Sequence, residues 1–248
     1  MAQNIYDDAT FFAGYSQLPR QVHGLAAAPE WPALRAMLPD LTGKRIVDLG
    51  CGFGWFARWA REHGAASVLG LDISDNMIGR ARATTQDQAI EYRMADLDAF
   101  DLPEMSFELA YSSLAFHYIE DFARLVRTVH RALVPGGHFV FSIEHPIYMA
   151  AKQPGWMTHE QGHRTWPVDH YASEGERHTD WIASGVLKFH RTLGTTVNTL
   201  IDTGFVLRHL EEFAPTREQV AQCPELVEEM DRPLMLLMAA QRNGTYES

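Results

Sequence analysis

Cysteine is scarce: Cys51 and Cys223 are the only two among 248 residues. That is too few for a disulfide framework or a cysteine-built zinc site, and it suits a reducing compartment. Positive charge is also short, with 21 Lys and Arg against 32 Asp and Glu and a net charge of −11 at neutral pH. No run of five or more basic residues occurs, which argues against a nucleic-acid partner, since such binders displace counterions with a basic patch. Long apolar runs are missing. A membrane-crossing helix needs roughly 18 to 20 apolar residues, and the best stretch, Pro233 to Ala240, ends at Gln241 and Arg242. The opening residues carry Asp7 and Asp8 and lack the apolar segment of a secretory leader. These absences predict a cytoplasmic chain without membrane or nucleic-acid partners, a monomer or homodimer, and no metal. Internal repeats are absent too, and 46% hydrophobic content is enough for one sizeable domain over 1–248.

What is present has a clear organisation. From Lys44 to Ile143, short apolar runs alternate with segments of helical period, as expected for an α/β fold with a mostly parallel sheet. Arg45–Leu49, Ser67–Asp72, Tyr92–Ala95, Leu109–Ser112 and His138–Ile143 read as five strands. Trp55–His63 reads as the first helix, a second follows Ser74 or Asp75 with Met77, Ile78 and Ala81 on one face, and Asp121–Leu133 is the third, stopped by Pro135-Gly136-Gly137. From 146 to 190 periodicity fails amid Pro, Gly, His, Trp and Tyr, and a lid insertion is expected there. A helix over Thr196–Thr203 and two antiparallel edge strands, Phe205–Phe213 and Pro233–Gln241, complete the expected division: cover 1–42, core 43–145, lid 146–190 and C-terminal part 191–248.

The chemistry gathers at Asp48-Leu49-Gly50-Cys51-Gly52-Phe53-Gly54, where the first strand turns into a helix. Glycines there permit a tight turn and close approach of a ligand to the backbone. Asp72, 18 positions after Gly54, ends the second strand and can accept both hydroxyls of a ribose. A nucleoside ligand is therefore expected. The dinucleotide fingerprint would put its third glycine where Trp55 stands, so a nicotinamide-dependent oxidoreductase is the weaker alternative.

This segment resembles the first motif of the class I S-adenosylmethionine-dependent methyltransferases, Glu/Asp-x-Gly-x-Gly-x-Gly. Further matches follow in order: Leu69–Ser74, Ala95-Asp96-Leu97, Tyr111–Tyr118 and Leu133-Val134-Pro135-Gly136-Gly137. The resemblance covers roughly 43–145, with a compatible C-terminal end. It implies a Rossmann-like seven-stranded sheet, S-adenosyl-L-methionine as cofactor, and a set of contacts. Asp48, Gly50, Cys51 and Gly52 would form the cofactor turn. Asp72 would hold the ribose, Ile73 and Met77 the adenine face, and Ala95, Asp96 and Leu97 the adenine edge. Ser112 would lie beside the methionine part, and Tyr15 and Arg20, in the leading segment, near its carboxylate. In size and aromatic lid the chain is also similar to bacterial biosynthetic methyltransferases, including the azapteridine N-methylating type of the toxoflavin pathway. The expected acceptor is an oxygen or nitrogen of a small, heteroaromatic molecule; a catalytically silent cofactor-binding regulator is the other alternative.

A base for such an acceptor is sought among the 12 histidines. Open α/β sheets bind ligands at the carboxyl ends of their strands, which favours His117 and His145 over His170 and His178; Tyr148 and Glu144 compete with them. Trp156, Trp166, Tyr171 and Trp181 in the lid can stack on a flat acceptor or on one another. His159-Glu160-Gln161-Gly162-His163 spells the zinc-protease motif, but Gly162, Pro154 and Pro167 forbid the stable helix that motif needs.

Overall fold

The computed structural model describes residues 3–244; residues 1–2 and 245–248, included in the expected domain, lie outside the described residues. Short helices open the chain: α1 (Ala9–Tyr15), α2 (Pro19–His23) and α3 (Trp31–Ala36). They precede β1 (Arg45–Leu49), α4 (Trp55–Glu62), β2 (Ser67–Asp72), α5 (Asp75–Ala83), β3 (Ile90–Met94), β4 (Phe107–Ser113), α6 (Phe122–Ala132) and β5 (Leu133–Glu144). The intervening segment holds α7 (Pro146–Ala150), a small hairpin β6 (Met157–Thr158) and β7 (Arg164–Thr165), and a longer hairpin β8 (Gly175–Trp181) and β9 (Ala183–His190). After these come α8 (Leu193–Thr203), β10 (Phe205–Phe213), α9 (Arg217–Gln222) and β11 (Met235–Arg242).

Seven strands form one sheet in the order β10-β11-β5-β4-β1-β2-β3. β1 to β5 run parallel, and β11 pairs antiparallel with both β5 and β10. The order reverses between β1 and β4, and the crevice beyond their carboxyl ends is where an open α/β sheet takes a ligand. β1 is buried from Ile46 to Leu49 because both faces are covered: Ile46 packs with α4 and α5, Val47 with α6. Local chemistry sets the helix starts. Ser74 Oγ accepts from the Met77 N–H at 3.1 Å, and Asp121 Oδ1 from the Arg124 N–H at 2.8 Å, each a cap worth about 1 kcal/mol.

Several elements differ from expectation. Pro135-Gly136-Gly137 does not stop α6; the helix ends at Ala132, and the triplet lies inside β5. Pairing passes from Phe107–Leu133 directly to Leu109–His138, so the intervening residues bulge, with Gly136 at a φ of 79°. β3 begins at Ile90, two residues before the expected Tyr92, because the buried Ile90 pairs with Val68. The lid segment is largely hairpin. Its inward row in β8 and β9 includes Arg177, Lys188 and His190, all buried, so charged side chains occupy positions that usually signal a strand by being apolar. Arg177 donates to the carbonyls of Ala150, Ser173 and Glu176 at 2.9, 2.6 and 3.0 Å, which ties the hairpin to α7.

The leading segment folds over the crevice. Asp7 accepts from Ser74 Oγ at 2.6 Å and from the Asn76 N–H at 3.1 Å, fastening it to the start of α5. Gln3 donates to the Gly185 carbonyl and accepts from the Leu187 N–H, and the Trp181 ring lies 5.7 Å from Phe11. Cover and lid are thus joined above the sheet.

Candidate active site

The turn leaving β1 has Gly50, Gly52 and Gly54 all at positive φ. A Cβ on Gly50 would overlap that of Ala115, whereas one on Gly52 would meet no atom within 4 Å; Gly52 therefore presents bare backbone to open space. Asp72 braces this turn. Its Oδ2 accepts from the Gly52 N–H at 2.9 Å and its Oδ1 from the Ser74 N–H at 3.0 Å. Burial pushes its carboxyl up to about 6, although those two backbone donors pull the other way. Burial, and next the charge of Asp72, hold Asp48 well above the usual carboxylate range.

Two adjoining cavities meet at this turn. The smaller, about 90 Å³, is lined by Asp72, Ile73, Met77, Asp96 and Leu97. The larger, about 320 Å³, is lined by Arg20, Asp48, Cys51, His117, Glu144, Tyr148, Trp181 and Glu229, among others. Tyr6, Tyr15, Gly50, Gly52, Ser113, Leu114 and Tyr118 border both. Leu114 holds a φ of 55°, an uncommon conformation for a branched side chain and of a kind that clusters at ligand sites.

Most expected site residues come together here, and three do not. Ser112 is fully buried and its hydroxyl donates to the Leu49 carbonyl at 2.6 Å, tying β4 to β1; its neighbour Ser113 faces the cavities. Ala95 borders neither cavity, and its N–H donates to the Asp72 carbonyl at 2.8 Å. His145 is turned away: Nδ1 accepts from the Ile147 N–H at 3.0 Å as the cap of α7, and Nε2 lies 2.9 Å from Glu212. The motif-like His159 and His163 sit in the turn between β6 and β7, where the His159 N–H donates to the His163 carbonyl at 2.8 Å.

His117 lines the larger cavity with a pKa held well below its ordinary value, first by burial and then by Lys188 and Arg191. Its Nδ1 accepts from the Glu144 N–H at 3.4 Å, which leaves the proton on Nε2, 3.9 Å from Glu144 Oε1. A neutral ring so engaged has no free lone pair to offer as a base. Burial lifts Tyr148 to about 12, aided by the charge of Glu144, so its phenol keeps its proton at neutral pH.

The sequence reading named Arg20 and Glu144 but not the ion pairs they form, and it missed Glu229, which lines the larger cavity. Lys188 Nζ donates to Glu144 Oε1 at 2.6 Å and lies 5.4 Å from the centre of the Trp181 ring. Arg232 donates to Glu229 Oε1 at 2.6 Å and packs on the rings of Tyr148 and Trp166. Arg20 does the same to Glu30 at 2.6 Å. In each of these three pairs the second carboxylate oxygen is buried without a partner. Tyr6 donates to the Tyr118 hydroxyl at 3.1 Å. None of these pairs is local in sequence except Glu229 and Arg232.

A glycine turn braced by a strand-end aspartate, beside an aromatic-walled chamber, defines a nucleoside-dependent group-transfer site. Residues 47–141 match the sequence family described as a methyltransferase domain. The S-adenosylmethionine dependent methyltransferase from Mesorhizobium loti is 64% identical and superposes with a TM-score of 0.84 over 88% of this chain and all of that one. A Listeria monocytogenes structure is 38% identical, with a TM-score of 0.80 over 88% of this chain and 99% of that one. The malonyl-[acyl-carrier protein] O-methyltransferase of Enterobacter lignolyticus is 36% identical over 110 residues, which cover 44% of this chain and 43% of that protein. The chain belongs to the S-adenosylmethionine-dependent methyltransferases: it is an enzyme of the class I fold, and S-adenosylmethionine is its cofactor. Among the described residues no helix is long and apolar enough to cross a membrane.

Proposed function

We propose that the enzyme methylates a nitrogen or oxygen of a small, heteroaromatic metabolite by in-line displacement. The observation that carries this reading is the larger cavity, which adjoins the Asp72 pocket and is walled by Tyr6, Tyr118, Tyr148 and Trp181. When bound, S-adenosylmethionine supplies a methyl group on a positively charged sulfur, an electrophile that needs no further activation. The chain's part is to hold both partners and keep water out, and orientation of this kind can contribute roughly 7 to 11 kcal/mol of the barrier.

In this reading Asp72 receives the ribose hydroxyls beside the Gly52 backbone. Ile73, Met77 and Leu97 flank the adenine, and Asp96 meets its amino edge. Gly50 and Cys51 line the path toward the larger cavity, where Tyr15 and Arg20 face the amino-acid end. The Arg20–Glu30 pair fits that end well. One guanidinium nitrogen is engaged with Glu30 Oε1, the rest of the fork is available to a carboxylate, and the orphaned Glu30 Oε2 suits an ammonium. His117 and Tyr148 serve as positioning residues of the acceptor wall. One chain supplies every residue named.

The test is product formation. Full-length enzyme is incubated with methyl-labelled S-adenosylmethionine and a panel of planar phenols, purines and pteridines, and labelled small-molecule product is sought by mass spectrometry. Label transferred only to macromolecular fractions of a cell extract would overturn the small-acceptor reading.

A further inference from the structure

The larger cavity carries a specific imbalance of hydrogen-bonding groups. Glu144 and Glu229 both line it. Each has one oxygen held by a cation of the chain, Lys188 or Arg232, at 2.6 Å. In each the other oxygen is buried and unpartnered, and Glu229 as a whole is only 8% exposed. Tyr148 lines the same cavity, where both carboxylates push its pKa up while Arg232 pulls it down. A buried oxygen without a donor costs about 1 to 3 kcal/mol, and more when it is charged. Each of these oxygens is therefore a place for a ligand's N–H.

We infer that the acceptor is a flat, amino-substituted nitrogen heterocycle whose N–H donors dock on the free oxygens of Glu144 and Glu229. This rests on the small-acceptor reading above and narrows it. The rings of Tyr148 and Trp181 wall this space, and the two carboxylates supply acceptors; the unpartnered donors nearby are Trp55 Nε1 on the same cavity wall and Arg232 Nε beside Glu229. A carboxylate-bearing acceptor meets like charge and two unanswered lone pairs, so it is excluded from this wall. Glu144 has a second task when the reacting atom is its docked nitrogen. The nitrogen lone pair forms the new N–C bond as the C–S bond breaks and leaves its electrons on sulfur, and the N–H proton passes to Glu144 Oε2. Burial raises the Glu144 carboxyl above its ordinary range despite Lys188, which makes it the stronger base.

Calorimetry tests this with three isosteric probes titrated into full-length protein saturated with S-adenosylhomocysteine: benzamidine, benzamide and benzoate. Benzamidine should bind at least tenfold more tightly than benzamide, and benzoate should give no binding heat. Glu229→Gln and Glu144→Gln should each flatten the preference of benzamidine over benzamide to within about threefold, while affinity for S-adenosylhomocysteine stays within twofold. If one variant does not fold, the other and the wild-type ranking decide. A wild-type ranking with benzamide or benzoate level with benzamidine overturns the inference and leaves the small aromatic acceptor standing. So does a benzamidine preference that survives in the folded variants. Failure of all three probes to bind protein that still takes up S-adenosylhomocysteine overturns both readings.

Discussion

Replacing Asp72 by asparagine separates what this side chain does for the cofactor from what it costs the fold. Its carboxyl sits at about 6 against an ordinary 3.8, mainly because it is buried. A carboxyl with a raised folded-state pKa contributes stability below its unfolded value and loses that contribution as pH rises through the folded one. The full loss is about 3 kcal/mol, taking 1.36 kcal/mol per unit, and about half of it falls between pH 5 and 8. The asparagine amide does not titrate, so urea unfolding should show the Asp72→Asn variant gaining on the wild type by roughly 1 to 2 kcal/mol over that interval. The absolute offset also includes the asparagine amide facing the Gly52 or Ser74 N–H, a cost of about 1 to 3 kcal/mol, so the pH slope is the quantity to read. Affinity for S-adenosylhomocysteine should fall roughly ten- to hundredfold at pH 8, the worth of hydrogen bonds to a charged acceptor. A stability difference that stays flat from pH 5 to 8, or an unchanged affinity, would refute the reasoning.

Gly50→Ala should destabilise the apo protein by roughly 2 to 4 kcal/mol in denaturant titration, because the new Cβ meets Ala115 at a left-handed φ; a loss under about 0.5 kcal/mol would show that the turn can relax. His145→Ala should lower stability by about 1 kcal/mol through loss of the α7 cap and leave kcat/KM for the acceptor within twofold; a collapse of kcat in folded protein would put His145 back among the catalytic residues. The His117 ring should stay neutral with its proton on Nε2, so its NMR shifts should not move between pH 8 and 6. A midpoint inside that range would contradict its burial beside Lys188 and Arg191.

Much of the candidate cofactor pocket was legible as a constellation because its determinants are local. The run from Asp48 to Gly54 and the aspartate ending the next strand need only a strand, a turn and a helix to come into register, and each announces itself by period, glycine or cap. The acceptor half depends on parity and on distant partners. β4 is buried on both faces, so nothing in its sequence says that Ser113 faces the cavities and Ser112 faces β1. Glu144 meets Lys188 from the other side of the lid, and Lys188 sits on a strand whose inward row is charged. His145, at the end of β5, had the right position along the strand but the wrong orientation, and its ring serves as a helix cap. Glu229 lies just ahead of the last strand, where no motif marked it, and reaches the cavity only through the fold, with Arg232 as its ion-pair partner.

The most direct test of the account is a crystal structure of the complex with S-adenosylhomocysteine. It should place the ribose hydroxyls within hydrogen-bonding distance of Asp72, the adenine against Ile73, Met77 and Leu97, and the amino-acid end at Arg20 and Glu30, with the sulfur facing the chamber of Tyr148 and Glu144. A complex in which Asp72 touches no atom of the nucleoside, or in which the sulfur points away from that chamber, would contradict it.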